Sequence, residues 1–206
     1  MDLIVSIGTL IASFIFILIS QKYFLKKNIV DKVNERSSHN IVATRSGGIG
    51  VFLTLFLISV YNYFMGIQIF DYSLVIPLSI LLIVGLYDDL YNVDFKLKFL
   101  FQIITAKILI DNGLIIDNFH GILGIYELNR TFAQIFSIFV ITAIINSINF
   151  IDGIDGLAVL IVSSFIILFE FFAVDQTPYY VLSIIILISF IPFLYFNRKN
   201  IIWCLI

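Results

Sequence analysis

Apolar positions along this chain gather into seven runs, at about 3–21, 48–66, 73–87, 97–111, 131–151, 157–174 and 179–196. Polar, glycine-bearing or charged stretches separate them. A helix needs about 20 apolar residues to cross a bilayer, with roughly 17 as the lower limit. The third and fourth runs are therefore short and must borrow turns from their flanks. No run alternates with period two, and lipid gives backbone groups nothing to bond with, so helices are the spanning form expected. The predicted fold class is all-α: a polytopic integral membrane bundle of seven transmembrane helices, with residues 1–206 as a single membrane-embedded domain.

Composition and charge sharpen this picture. Of 206 residues, 61% are hydrophobic and only 13% are charged, against roughly a quarter charged in soluble domains. An ordinary soluble protein is excluded. The lone cysteine, Cys204, allows neither an intramolecular disulfide nor a cysteine-rich metal site. Residues 3–20 lack a basic n-region and an A-x-A-like cleavage site, and Gln21, Lys22, Lys26 and Lys27 follow at once. The first run thus reads as a retained span, not as a signal peptide. The formal net charge of −2 matters less than where the twelve Lys and Arg residues fall. Lys22, Lys26, Lys27, Lys32, Arg36 and Arg45 follow run one, Lys96 and Lys98 follow run three, and Arg198 and Lys199 follow run seven. Arg130 stands on the opposite side and Lys107 lies within run four. The positive-inside rule then predicts the N-terminus outside and the C-terminus in the cytoplasm.

Two polar clusters end apolar runs on that cytoplasmic side. Asn146–Gly156 reads N-S-I-N-F-I-D-G-I-D-G and sets Asn146, Asn149, Asp152 and Asp155 three residues apart. An ionised Asp deep in a membrane helix costs on the order of 3 kcal/mol even on the lenient insertion scale, which makes such residues functional candidates. On a regular helix neighbours in this series sit about 60° apart and the whole series drifts by about 180°. One straight helix cannot face all four the same way, so Gly153 and Gly156 mark an expected break. Oxygen-only ligands suit Mg²⁺, which keeps waters and shares phosphate oxygens; the plain alternative is a helix end making interhelical hydrogen bonds. In the second cluster, the adjacent carboxylates of Asp88 and Asp89, about 4 Å apart, repel by roughly 4 kcal/mol at an effective dielectric of 20. A divalent cation, a lysine or a shared proton relieves that, and Lys96 and Lys98 follow closely. The plain alternative is a solvated helix end.

The first cytoplasmic loop carries Arg36, His39 and Arg45 ahead of Gly47, Gly48 and Gly50. Basic side chains with glycine amides suit phosphates; equally, such a loop can serve topology and lipid headgroups. Residues 111–130 on the other side hold Gly113, Gly121 and Gly124 and are expected to form a small hairpin or surface turn. His120 lies there, away from the acids, and Lys107 reads as a snorkelling side chain.

In order along the chain, R-S-S-H…R-S-G-G (36–48), G-L-Y-D-D-L (85–90) with K-L-K-F-L-F-Q (96–102), and N-S-I-N-F-I-D-G-I-D-G-L-A (146–158) resemble one membrane enzyme family. It is the polyprenyl-phosphate N-acetylhexosamine-1-phosphate transferases of glycosyltransferase family 4, which includes the cell-wall translocase. The resemblance implies transfer of an N-acetylamino-sugar-1-phosphate from a UDP-sugar to a polyprenyl (undecaprenyl) phosphate, with release of UMP. This step starts lipid-linked glycan synthesis, and the expected location is the cytoplasmic face of a bacterial inner (plasma) membrane. By the same resemblance, Asp88 and Asp89 are catalytic and face the acceptor phosphate, Asn92 and Lys98 lie near the diphosphate, and Asn149 is a Mg²⁺ ligand, with Mn²⁺ as the alternative ion. Asp152 and Asp155 line the nucleotide side, Asp155 near uracil, while Arg36, His39 and Arg45 complete the substrate-binding set. The expected partners are the UDP-N-acetylamino sugar, the polyprenyl phosphate and the bilayer, with no nucleic acid and with a homodimer as the assembly to test.

Two departures stand against the family pattern. Val42 and Thr44 occupy positions where prolines are common. After Phe196-Asn197 the family continues into G-D-x-G-S and a His- or Arg-bearing loop, whereas this chain reads to Ile206 as I-I-W-C-L-I. The expectation is thus a C-terminally incomplete member with little turnover by itself, and the alternative reading is a catalytically dead scaffold or fragment of the family. Other classes fit less well. A CDP-alcohol phosphatidyltransferase needs D-G-x-x-A-R, but Asp155-Gly156 runs into Leu157-Ala158-Val159 with no arginine. Intramembrane prenyltransferase spacings are also absent, and a transporter would place ionisable groups near the midplane within repeated halves.

Overall fold

The computed structural model describes residues 3–30, 44–66, 74–91, 93–152, 156–173 and 179–198. Arg36, His39, Asn92 and Asp155 lie outside the described residues. Among those described, the chain is all-helical: α1 Leu3–Lys26, α2 Gly47–Phe64, α3 Val75–Tyr91, α4 Phe95–Asp111, α5 Arg130–Ile151, α6 Leu157–Phe172 and α7 Tyr180–Arg198. No strand occurs among them, only an isolated bridge between Asn118 and Glu127. Four helices, α1, α2, α5 and α7, are long and apolar enough to cross a membrane. The helices from the two short runs reach 17 residues each by taking in their flanks. As a result Asp88 and Asp89 stand inside the last turn of α3 and not beyond it.

The chain divides into two compact units, Met1–Asp71 with Ile151–Ile206, and Tyr72–Phe150. In the first, packing runs opposite to a soluble core. The buried stripe of α1 is Val5, Thr9, Ser13, Ile17, Ser20 and Phe24, at steps of three or four residues. Leu3, Ile4, Ile7, Leu10, Ile11 and Phe14 are exposed. Lipid rewards no burial of apolar side chains, so small and hydroxyl residues take the interface, where backbones can approach. Ser13 Oγ accordingly donates to the Ser189 carbonyl of α7 at 2.8 Å. Gly50 of α2 lies so close to α1 that a Cβ there would fall 2.9 Å from the Ile17 backbone. Ile17, Val51, Val159, Phe190, Phe193 and Phe196 form the apolar centre of this unit.

In the second unit α3, α4 and α5 follow one another, and α4 and α5 are joined by the hairpin expected at residues 112–129. Phe119 N–H donates to Tyr126 O at 2.8 Å and Leu128 N–H to Asp117 O at 2.8 Å, which pairs its two arms. The tip is a 3₁₀ turn at Ile122–Gly124. At the end of α4, Lys107 pairs with Asp111 one turn on. This pair holds the lysine's charge at the helix terminus.

Candidate active site

Asp88 is held from two sides. One carboxylate oxygen accepts the Val93 N–H at 3.1 Å, closing the turn from α3 into α4. The other receives the Lys98 ammonium at 2.8 Å. Of the two lysines that follow, Lys98 is the one that meets Asp88, while Lys96 is exposed. Chain geometry selects between the two. Asp94 caps α4, accepting from the Lys96 N–H at 3.4 Å, and so starts the helix just before Phe95. Lys98 comes one turn later and faces back to α3. Adjacent residues on a helix point about 100° apart, so Asp89, half-buried, presents its carboxylate in a different direction from Asp88.

One turn further along α4, Gln102 is buried. Its amide and that of Asn146 bond reciprocally: Asn146 Nδ2 donates to Gln102 Oε1 at 2.7 Å and Gln102 Nε2 donates to Asn146 Oδ1 at 3.3 Å. Asn146 Nδ2 also donates to the Thr142 carbonyl at 2.8 Å. Nearer the hairpin, the Ile116 N–H donates to Ser137 Oγ at 2.8 Å. Contacts thus move back along α4 and its extension as they move forward along α5, so the two run antiparallel. Lys98 lies about 6 Å beyond Gln102 and Asn149 about 4.5 Å beyond Asn146, at 1.5 Å per residue, toward the same end. Asp88, Lys98 and Asn149 therefore share one end of the second unit, and the hairpin with His120 occupies the other. Asn146, a member of the Asn/Asp series, thus makes the interhelical bond that was the plain alternative for it, and Gln102 is the partner that had no role assigned. The available signal was an amide in an apolar helix one turn from a candidate lysine, because such amides act as glue between membrane helices.

The Asn/Asp series breaks where the glycines led one to expect. Helix α5 ends at Ile151, and Gly156 adopts φ +66° just before α6. A side chain at Gly156 would meet Leu194 at 3.2 Å and the Asn197 Oδ1 at 3.3 Å. Asp152 falls past the end of α5, in the first unit, and is buried. Arg45, in that unit too, is half-buried. It sits on a short pinned stretch: Thr44 and Ser46 hydroxyls lie 2.9 Å apart, and Ser20 Oγ donates to the Ser46 carbonyl at 3.2 Å. Gly47 and Gly50 are buried, and the Gly50 N–H donates to Ser46 O at 3.4 Å within the start of α2.

Among the described residues, no three His, Cys, Asp or Glu side chains gather into a metal cluster. The donors present are the Asn149 amide and single carboxylates, a sparse all-oxygen set. That set suits Mg²⁺, which takes one or two carboxylates and completes its shell with water and phosphate oxygens.

A family model described as glycosyl transferase family 4 matches residues 71–202, well over half of the chain and all of α3 to α7. No curated protein and no solved structure matches it.

Proposed function

From the premise that the chain belongs to glycosyl transferase family 4, the polyprenyl-phosphate sugar-1-phosphate transferases that move a sugar phosphate onto a lipid carrier, we propose a specific reaction. An N-acetylhexosamine-1-phosphate passes from a UDP-sugar to a polyprenyl phosphate of the undecaprenyl type at the cytoplasmic face of the membrane. An oxygen of the acceptor phosphate bonds to the sugar-bearing β-phosphorus. The bond from that phosphorus to the bridging oxygen breaks, and UMP leaves with the electron pair. Products are the polyprenyl-diphospho-sugar and UMP.

The observation that carries this reading is the Asp88–Lys98 pair, held at the same end of the second unit as Asn149 by the Gln102–Asn146 bonds. The attacking group is already an anionic phosphate, so the chain's work is positioning and charge neutralisation. Lys98, oriented by Asp88, meets the diphosphate. Asp89 orients the acceptor. Asp152 with Asp155 receives the nucleotide, while Arg45, Arg36, His39 and Asn92 contribute further phosphate contacts. Asn149 holds Mg²⁺, which supplies charge neutralisation on the phosphates when bound.

The test is incorporation of radiolabelled sugar phosphate from UDP-GlcNAc into extractable lipid by membranes carrying the chain, with and without Mg²⁺. Labelled lipid and stoichiometric UMP are expected where the chain carries a family-type C-terminal segment, both lost in Asp89→Asn. Membranes with that extended chain that form no labelled lipid from any UDP-N-acetylamino sugar would leave the scaffold reading standing in place of this one.

A further inference from the structure

The hairpin between α4 and α5 ends in an apolar tip that nothing in the second unit covers. Ile122 is 67% exposed, Leu123 90% and Tyr126 66%. Leu123 holds φ +57°, a left-handed conformation that costs an ordinary residue roughly 1–2 kcal/mol. The backbone cost is the same in any surroundings, but the outward leucine side chain is unfavourable in water.

Two contacts fix the depth of this hairpin. The Ile116 N–H bonds to Ser137 Oγ, and the rings of Phe119 and Phe136 meet at 5.3 Å. Ser137 and Phe136 lie about 10 Å and 9 Å along α5 from Arg130. The 22 residues of α5 measure about 33 Å, only slightly more than the hydrocarbon core of about 30 Å. The hairpin therefore folds back along the first two turns of a membrane span and does not rise away from it. Ser137, buried on a span, supplies the bond that the Ile116 N–H could not obtain from lipid. Five further bonds run within the hairpin: Phe119 N to Tyr126 O, Gly121 N to Ile125 O, Ile122 N to Phe119 O, Gly124 N to Gly121 O and Ile125 N to Ile122 O, at 2.8–3.1 Å. Each pairs backbone groups that lipid would otherwise leave unsatisfied. The hairpin's carboxylates, Asp117 and Glu127, stand at the arms and not at the tip.

We propose that residues 112–129 form an interfacial lipid anchor at the end of the second unit away from Asp88, with Ile122 and Leu123 inserted among the outermost acyl segments. Segments of this kind sink about 5–10 Å into the boundary between headgroups and acyl chains, and the Phe119–Phe136 contact lies about 9 Å along α5 from its first residue. The anchor fixes the height of α5 and of the loop in the bilayer and needs nothing from the transfer reaction.

The test uses the full chain with Trp203→Phe, which removes its only tryptophan, and with Leu123→Trp as reporter, reconstituted in phosphatidylcholine vesicles. Expected are a blue-shifted emission, stronger quenching by lipids brominated near the headgroup than by those brominated near the chain end, and weak quenching by aqueous iodide. Ile122→Trp, at a residue without positive φ, should report the same and guards against a Leu123 variant that fails to fold. Red-shifted emission quenched by iodide would place the tip in water and overturn the proposal. Blue-shifted emission insensitive to bromolipid but dependent on the protein-to-lipid ratio would assign the tip to a second copy, and would overturn it as well.

Discussion

Asp88 and Lys98 form a half-exposed pair, with side-chain exposures of 30% and 23%, and such pairs are worth about 0–1 kcal/mol. Asp88→Asn keeps an acceptor for the Val93 N–H but loses the charge that orients Lys98. It should therefore reduce sugar-phosphate transfer on the order of 100-fold, the rough cost of a 1 Å misplacement, while unfolding in mixed detergent shifts by less than about 1 kcal/mol. A variant equally impaired in both would make Asp88 a structural residue only. The Gln102–Asn146 pair makes the opposite prediction, since Gln102 is buried and Asn146 half-buried within the unit. Bonds between membrane helices average about 0.6 kcal/mol and reach about 1.7 kcal/mol. A double-mutant cycle with Gln102→Leu and Asn146→Leu should give a coupling in that range, the double variant being less unstable than the two single losses summed. Zero coupling would show that the amides do not act as partners.

Elements were legible where physics is local. Apolar runs of spanning length became helices, and the Asn/Asp series breaks after Ile151, where α5 ends, with Gly156 in the left-handed conformation just before α6. The ends of α3 and α4 lay beyond their runs, since a charged residue need not end a helix when a partner such as Lys98 answers it. Two features depend on contacts distant in sequence: the choice of Gln102 as the partner of Asn146, and the close approach of Gly50 to Ile17. The α1 stripe of Thr9, Ser13, Ile17 and Ser20 did leave a signal, hydroxyl residues recurring at about one helical turn in an otherwise apolar run. It marks the interface into which Gly50 fits. Gly50→Ala would set a methyl 2.9 Å from the Ile17 backbone, and neither helix can yield there without shifting its neighbours. Overpacking of this kind costs typically about 1–3 kcal/mol, so the variant should unfold at distinctly lower denaturant. By contrast Gly8→Ala, with nothing within 4 Å, should be neutral or slightly stabilising.

At the scale of the molecule, the number of spans decides which termini share a side with the acidic clusters. Helix α6 is the weak member, at 16 residues about 24 Å long, some 6 Å short of the hydrocarbon core. Its connection to α7 settles what it should do. Ser183 Oγ, in the first turn of α7, donates to Glu170, in the last turn of α6, at 2.6 Å. The two helices thus begin and end as a hairpin, so if α7 crosses, α6 returns the chain from the opposite face. Helix α7 has the length and apolarity to cross. The mismatch of α6 costs only fractions of a kcal/mol per Å and is met by local thinning or by flanking residues. If α1 and the other six helices all cross, alternation puts Lys22, Lys26, Lys96, Lys98 and Arg198 on one side, and the positive-inside rule predicts that side to be cytoplasmic. Reporter fusions after Lys27, Lys98 and Lys199 should then report cytoplasm, and fusions after Gly66 and Gln176 the outside. A cytoplasmic signal after Gln176, with an outside one after Lys199, would mean that α6 does not cross. The chain would then have six spans and its C-terminus on the side away from Asp88.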